Sequence, residues 1–121
     1  MHGLQLDQVY CIFGPRTIAV KFKLLDCKNR KMVRVVRFVS AYAPVSSSSQ
    51  KVRNEYLHDL QKCVMSCNDE EVLIIATDAN ALMGICSGHD QVLEPFGISK
   101  QNSAGYLFRD FCETLNLCLP S

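Results

Sequence analysis

No run of apolar residues in this 121-residue chain approaches the roughly 18 that a membrane-crossing helix requires, so no spanning segment is expected. Met1-His2-Gly3-Leu4 does not place a basic region before an apolar core, so no secretory leader is read there. An intracellular location is the expectation, the nucleus included. Histidine is scarce: His2 is terminal, His58 falls on a predicted helix and His89 in a glycine-containing loop. The seven cysteines are odd in number and include no C-x2-C pair, which argues against both a disulfide framework and the usual zinc-finger spacing. Cys63, Cys67, Cys86 and His89 could be grouped as four zinc ligands, but three of them fit ordinary core or loop roles equally well. Net charge is only +1, so no strong field of one sign dominates the chain.

The residues present are those of a globular piece, 48% hydrophobic and 21% charged. The chain is long enough for one domain at most, whereas large sheet-based α/β domains often run to roughly 200–250 residues. Thr17 to Leu25 alternates, with Ile18, Val20, Phe22 and Leu24 on one side and Lys21 and Lys23 on the other, as in a half-exposed strand. Asp26-Cys27-Lys28-Asn29-Arg30 makes a turn, and Met32 to Tyr42 is a second strand, so residues 17–42 read as an antiparallel hairpin. Pro44 stops that strand, because proline has no amide hydrogen and holds Ala43 extended. After the serines at 46–49, which offer an N-cap, Val52, Tyr56, Leu60, Cys63 and Val64 recur at helical spacing over about 50–66. A second helical face, Leu107, Phe108, Phe111, Cys112 and Leu115, begins after Ser103 as its expected cap.

Chemistry concentrates where strands end. Val72-Leu73-Ile74-Ile75-Ala76 is an unalternating apolar run, as in a strand covered on both faces, and it stops at Thr77-Asp78-Ala79-Asn80. In an extended segment residues i and i+2 point the same way, so Asp78 and Asn80 would converge as acceptor or base and neutral hydrogen-bonding group. Asp and Asn after a strand also serve as turn formers through their own side-chain hydrogen bonds. Tyr42 sits at the end of the other strand, where its hydroxyl can reach a neighbouring loop or simply stay wet above a half-buried ring.

Taken in order, Ser40-Ala41-Tyr42-Ala43-Pro44-Val45-Ser46 and Leu73-Ile74-Ile75-Ala76-Thr77-Asp78-Ala79-Asn80-Ala81 resemble the tyrosine-proline and Gly-Asp-Phe-Asn-Ala-type motifs of the endonuclease/exonuclease/phosphatase superfamily. Gly97 to Cys112, with Asn102-Ser103-Ala104-Gly105-Tyr106, is similar to the endonuclease domain of non-LTR retrotransposons and the craniofacial development protein 2-like sequences. The resemblance runs from about Phe13 to Leu119, which implies a partial domain over 13–119 preceded by an extension at 1–12. It implies an α/β (α+β) fold, a partial β-sandwich with helices packed outside the sheets. The implied activity is metal-dependent hydrolysis of DNA phosphodiesters with Mg2+ or Mn2+. In that assignment Asp78 orients or deprotonates water, Asn80 helps hold the site or metal shell and Tyr42 contacts the scissile phosphate. Arg16 and Asn102 are implied substrate contacts, with loop structure as the other role for Asn102.

Thr77 stands where the family usually has glycine, Ala79 where it has a large apolar residue, and Ala104 where the retrotransposon pattern often has asparagine. A β-branched residue at 77 restricts the backbone around Asp78. The family's N-terminal carboxylate ligand and C-terminal Asp-His pair have no counterpart here, so the expectation is a middle piece with weak or no activity alone. The alternative is a non-catalytic remnant or interaction module of the same partial fold, able to self-associate through exposed sheet edges. Residues 16–53 hold ten of the thirteen Lys and Arg and one acid, Asp26, whereas residues 54–121 hold three basic and ten acidic residues. The basic half either faces DNA phosphate or is a solvated hairpin surface.

Overall fold

The computed structural model describes residues 2–84 and 100–119, with side chains from residue 10 onward. The element order is β1 (His2–Gly14), β2 (Thr17–Asp26), β3 (Met32–Tyr42), α1 (Gln50–Met65), β4 (Glu71–Asp78) and α2 (Ser103–Thr114). The four strands form one mixed sheet in the order β1-β2-β3-β4, so the described residues make a mixed α/β fold. Two compact units divide the chain, one of Met1–Ala43 with Asn54–Asp78 and one of Pro44–Arg53 with Ala79–Ser121.

In the first unit β1, β2 and β3 pair antiparallel, and β3 and β4 pair parallel. β1 lies largely within the segment read from sequence as an extension. The β2–β3 hairpin closes as its turn chemistry requires: Asp26 Oδ1 accepts from the Lys28 amide at 2.9 Å, and Arg30 takes a left-handed φ of 58°. A parallel pair cannot be joined by a tight turn, and α1 supplies the crossover from β3 to β4. Ser49 Oγ accepts from the Val52 amide at 3.3 Å and satisfies one of the donors exposed at the start of α1.

The buried side chains of α1, Tyr56, Leu60 and Cys63, share one helical stripe, and those of the sheet are Thr17, Ala19, Val39 and Ala41. Tyr56 Oη meets Thr77 Oγ1 at 2.9 Å, which fixes the covered face as the one bearing Thr77 and its strand partner Ala41. Thr77, flagged above as a β-branched intrusion, is therefore an ordinary ladder residue whose hydroxyl ties β4 to α1. The covered face also corrects the expected sidedness of β2. Thr17 and Ala19 are buried and Lys21 lies on their side, whereas Ile18 is exposed. Small residues suit the covered face because a helix must approach there; at Gly14 an added Cβ would fall within 2.1 Å of the Asp59 carboxylate of α1.

That face holds a charged cluster near the start of β4. Glu71, with a side chain only 2% exposed, accepts from Lys21 Nζ at 2.7 Å and from Arg37 Nε at 2.8 Å. Cys67 Sγ lies 3.2 Å from Glu71 Oε2, and Arg37 also donates to Ser66 Oγ.

In the second unit α2 begins at an Asn102 cap whose Oδ1 accepts from the Gly105 amide at 2.8 Å. Sequence placed the cap one residue later, at Ser103. Asn102 takes the role because the same oxygen also accepts from the Leu82 amide at 3.2 Å, while the Asn102 amide donates back to Leu82 O at 3.2 Å. The helix ends in a Schellman motif: Asn116 has φ 55°, its amide donates to Glu113 O, and the Leu117 amide donates to Cys112 O. Gly105, Phe108 and Cys112 are its buried residues, with Phe108 and Phe111 rings stacked at 6.0 Å.

Candidate functional site

Parallel pairing delivers the ends of β3 and β4 to the same edge of the sheet. Tyr42 and Asp78 are direct partners in the register, and the Ala43 amide donates to Asp78 O at 2.9 Å, extending the ladder one residue beyond the strands. The third group arrives from the β1–β2 turn. Arg16 O accepts from the Tyr42 amide at 3.0 Å, and the Arg16 guanidinium lies 5.6 Å from the centre of the Tyr42 ring, within cation–π range. Both Tyr42, 51% exposed, and Asp78 open to solvent.

Three of the residues singled out from sequence, Arg16, Tyr42 and Asp78, are thus brought together in the first unit. The other two belong to the second. β4 stops at Asp78, and Asn80 adopts a left-handed φ of 45°, so the chain is no longer extended and the same-side rule for positions 78 and 80 does not hold. Asn tolerates this conformation better than most residues, which accounts for its place after the strand. Asn102 holds the Leu82 segment and caps α2, the loop-structural role named for it above.

The arrangement offers a carboxylate that can accept a proton or a hydrogen bond, a phenol that can donate one, and a guanidinium above that phenol. Open sheets carry their ligand sites outside the carboxyl ends of parallel strands, and this edge is of that kind. For a hard cation the edge supplies one carboxylate. That fits magnesium only as a partial shell, since the ion takes its remaining positions from water and phosphate when protein donors are few. Among the described residues no group of three or more His, Cys, Asp or Glu side chains could hold a metal. Of the zinc grouping considered above, Cys86 and His89 lie outside the described residues.

Sequence reasoning missed Glu71. Its position at the start of an apolar run carried no signal, because the partners Lys21 and Arg37 lie 50 and 34 residues away. Burial alone would push its carboxyl up, but hydrogen bonds from Lys21, Cys67 and Arg37 outweigh that and hold it below the ordinary value of 4.5.

The described cysteines are all free thiols. Burial pushes Cys63 and Cys112 from 9.0 up to about 11, and burial followed by the neighbouring Glu71 raises Cys67. A folded-state pKa above the unfolded one gives stability that is full below pH 9.0 and is lost as pH rises toward about 11. By about pH 10 each buried thiol is expected to cost about 1 kcal/mol of stability. Urea titrations at neutral and alkaline pH, repeated on Cys63→Ala and Cys112→Ala, would show a shallower alkaline loss in each variant; an unchanged slope would reject this origin.

No protein-family model, no curated protein and no solved structure matches this chain. No described helix is long and apolar enough to cross a membrane.

Proposed function

We propose that this chain is a piece of a metal-dependent phosphodiesterase of the endonuclease/exonuclease/phosphatase type, acting on DNA as the retrotransposon endonucleases do. The observation that carries the reading is the pairing of Tyr42 and Asp78 at the carboxyl ends of β3 and β4, with Arg16 above the tyrosine ring. Phosphodiester hydrolysis needs a positioned water, in-line geometry and charge stabilisation on the phosphoryl oxygens. Asp78 orients or deprotonates the water, the Tyr42 hydroxyl donates to a phosphate oxygen, and Arg16 both stiffens the ring and adds positive charge. Asp78 would be this edge's one carboxylate ligand in a magnesium shell completed by water and phosphate, whereas Asn80, the other shell residue the resemblance implies, belongs to the second unit. A bound magnesium ion would supply further charge neutralisation at the phosphate.

In this reading DNA is the partner and the nucleus the setting, and the half of the chain rich in lysine and arginine adds sequence-independent affinity for phosphate. The partial sandwich implied by the resemblance would use the sheet's uncovered face for a second sheet.

Purified chain incubated with supercoiled plasmid tests the proposal. Nicking is expected with magnesium, none with EDTA, and at least a roughly tenfold loss in Asp78→Asn, a modest demand on a positioned base. Full activity in Asp78→Asn would reject the assigned role. Absence of nicking by protein that melts cooperatively would favour the second reading, a non-catalytic interaction module, for which the exposed apolar sheet face speaks.

A further inference from the structure

We propose that Cys11 of β1 and Cys63 of α1 are a reversible disulfide pair, whose oxidation fastens the outer strand β1 to the helix. The register places the first of them. Cys11, Ala19, Val39 and Ile75 form one row across the four strands. Direct partners share a face, so Cys11 stands on the side that buries Ala19 and carries α1.

The path of α1 places the second. The helix crosses this face from Thr77, where Tyr56 bonds at 2.9 Å, toward Glu71, where Cys67 bonds at 3.2 Å, and so runs against β4. Two antiparallel pairings and one parallel pairing give β1 the direction of β4, so α1 runs against β1 as well. They meet at Gly14, where an added Cβ would lie 3.3 Å from Asp59 Cβ. The Cβ atoms of a disulfide are about 3.8 Å apart, so strand and helix approach closely enough there for such a bond. Cys63 follows Asp59 by one turn on the same side of the helix. That turn advances about 6 Å, roughly two strand residues, from Gly14 back toward Cys11, the next position on the covered face. Charge on Cys11 is among the influences that push the Cys63 thiol up, as nearness requires. Cys67, the other thiol acting on Cys63, is hydrogen-bonded to Glu71 instead.

Exposure divides the roles, since Cys11 is open to solvent and Cys63 is fully buried. Hydrogen peroxide, the oxidant, meets Cys11 first. The Cys11 thiolate attacks one peroxide oxygen, an S–O bond forms as the O–O bond breaks, and two electrons pass from sulfur to peroxide. The hydroxide released takes up the proton that Cys11 gave and becomes water. The Cys63 sulfur then attacks the Cys11 sulfur, forming S–S as S–O breaks, and the second hydroxide leaves as water with the Cys63 proton. Two thiols and one peroxide thus give one disulfide and two waters. Reduction by an added thiol must strike Cys11, because Cys63 is covered. It expels a thiolate whose pKa burial has pushed up to about 11, a poor leaving group, so reversal is slow.

The test treats the native full chain at micromolar concentration with hydrogen peroxide, followed by alkylation, proteolysis and mass spectrometry. The expected product is a Cys11 peptide joined to a Cys63 peptide within one chain, with cleavage after Met65 separating Cys63 from Cys67. Dithiothreitol should undo the link. The oxidised chain should unfold at a urea midpoint higher by about 1 M or more, because a bond closing a long loop restricts the unfolded chain. Cys11→Ser, a change at an exposed position, should fold as the parent does and leave Cys63 a thiol. Absence of a Cys11–Cys63 link would overturn the proposal, whether Cys63 joins another cysteine, Cys11 joins a second chain or Cys11 oxidises alone. So would a linked chain whose urea midpoint is unchanged or lower. None of these readouts depends on phosphodiester cleavage.

Discussion

Glu71→Ala is expected to lower the free energy of unfolding by about 3–5 kcal/mol, the range for breaking a buried ion pair from one side. The carboxylate is 2% exposed and lies between Lys21 Nζ and Arg37 Nε, so its removal takes from both cations the ion pair they make with it. They differ in how they can respond. Lys21, about a third exposed, can turn its ammonium toward water, whereas the Arg37 side chain is only 12% exposed and remains pinned by Ser66. Most of the loss is therefore assigned to Arg37, and the double variant Arg37→Met/Glu71→Met should recover much of it, since an apolar pair leaves no unpaired charge. The same cluster sets the acid limit. Because the Glu71 carboxyl is held below 4.5 in the folded chain, its contribution is full above that value and is lost as pH falls through the depressed folded pKa. Urea unfolding followed by circular dichroism, at neutral pH and in acid, would show both effects. A loss below about 1 kcal/mol would mean that the pair behaves as a surface salt bridge.

Local order was legible in the sequence because it is made locally. The β2–β3 hairpin follows from alternating strands around an Asp-led turn, and α1 from the serine cap and the Tyr56, Leu60, Cys63 stripe. The helix between them was readable as a crossover between neighbouring strands, and the parallel pairing the structure shows brings Tyr42 beside Asp78. What escaped was the choice of covered face. β2 carries large apolar residues on one side and Thr17, Ala19 and Lys21 on the other, and alternation cannot tell which side a helix will occupy. The helix took the side with small residues, and that choice turned Lys21 inward to Glu71 and left Ile18 open. The apolar face that sequence reasoning assigned to the interior is instead the face opposite α1. Asn80 illustrates the other limit: its residue type permits both an extended and a left-handed backbone, and only the fold shows the latter.

Gly105→Ala is expected to destabilise the second unit by about 1–3 kcal/mol, as an overpacking change that the backbone cannot absorb. The ordinary sign is the reverse, because alanine in place of a helical glycine gains roughly 0.5–1 kcal/mol. Here the added Cβ would fall 1.8 Å from Leu82 O and 2.5 Å from its carbonyl carbon, far inside any real contact. Those are main-chain atoms. Leu82 is held in place by Asn102 from both directions, donating its amide to Oδ1 and accepting the Asn102 amide at its oxygen, so moving it breaks two hydrogen bonds. The Gly105 amide itself donates to the same Oδ1, so a shift of the helix start would release the cap as well. Guanidinium unfolding of the variant measures the sign directly. A loss would mean that Asn102 is occupied as the clamp between the Leu82 segment and α2. A gain would mean that the clamp yields easily, and Asn102 would then be free to turn toward a substrate, the role the resemblance assigns it.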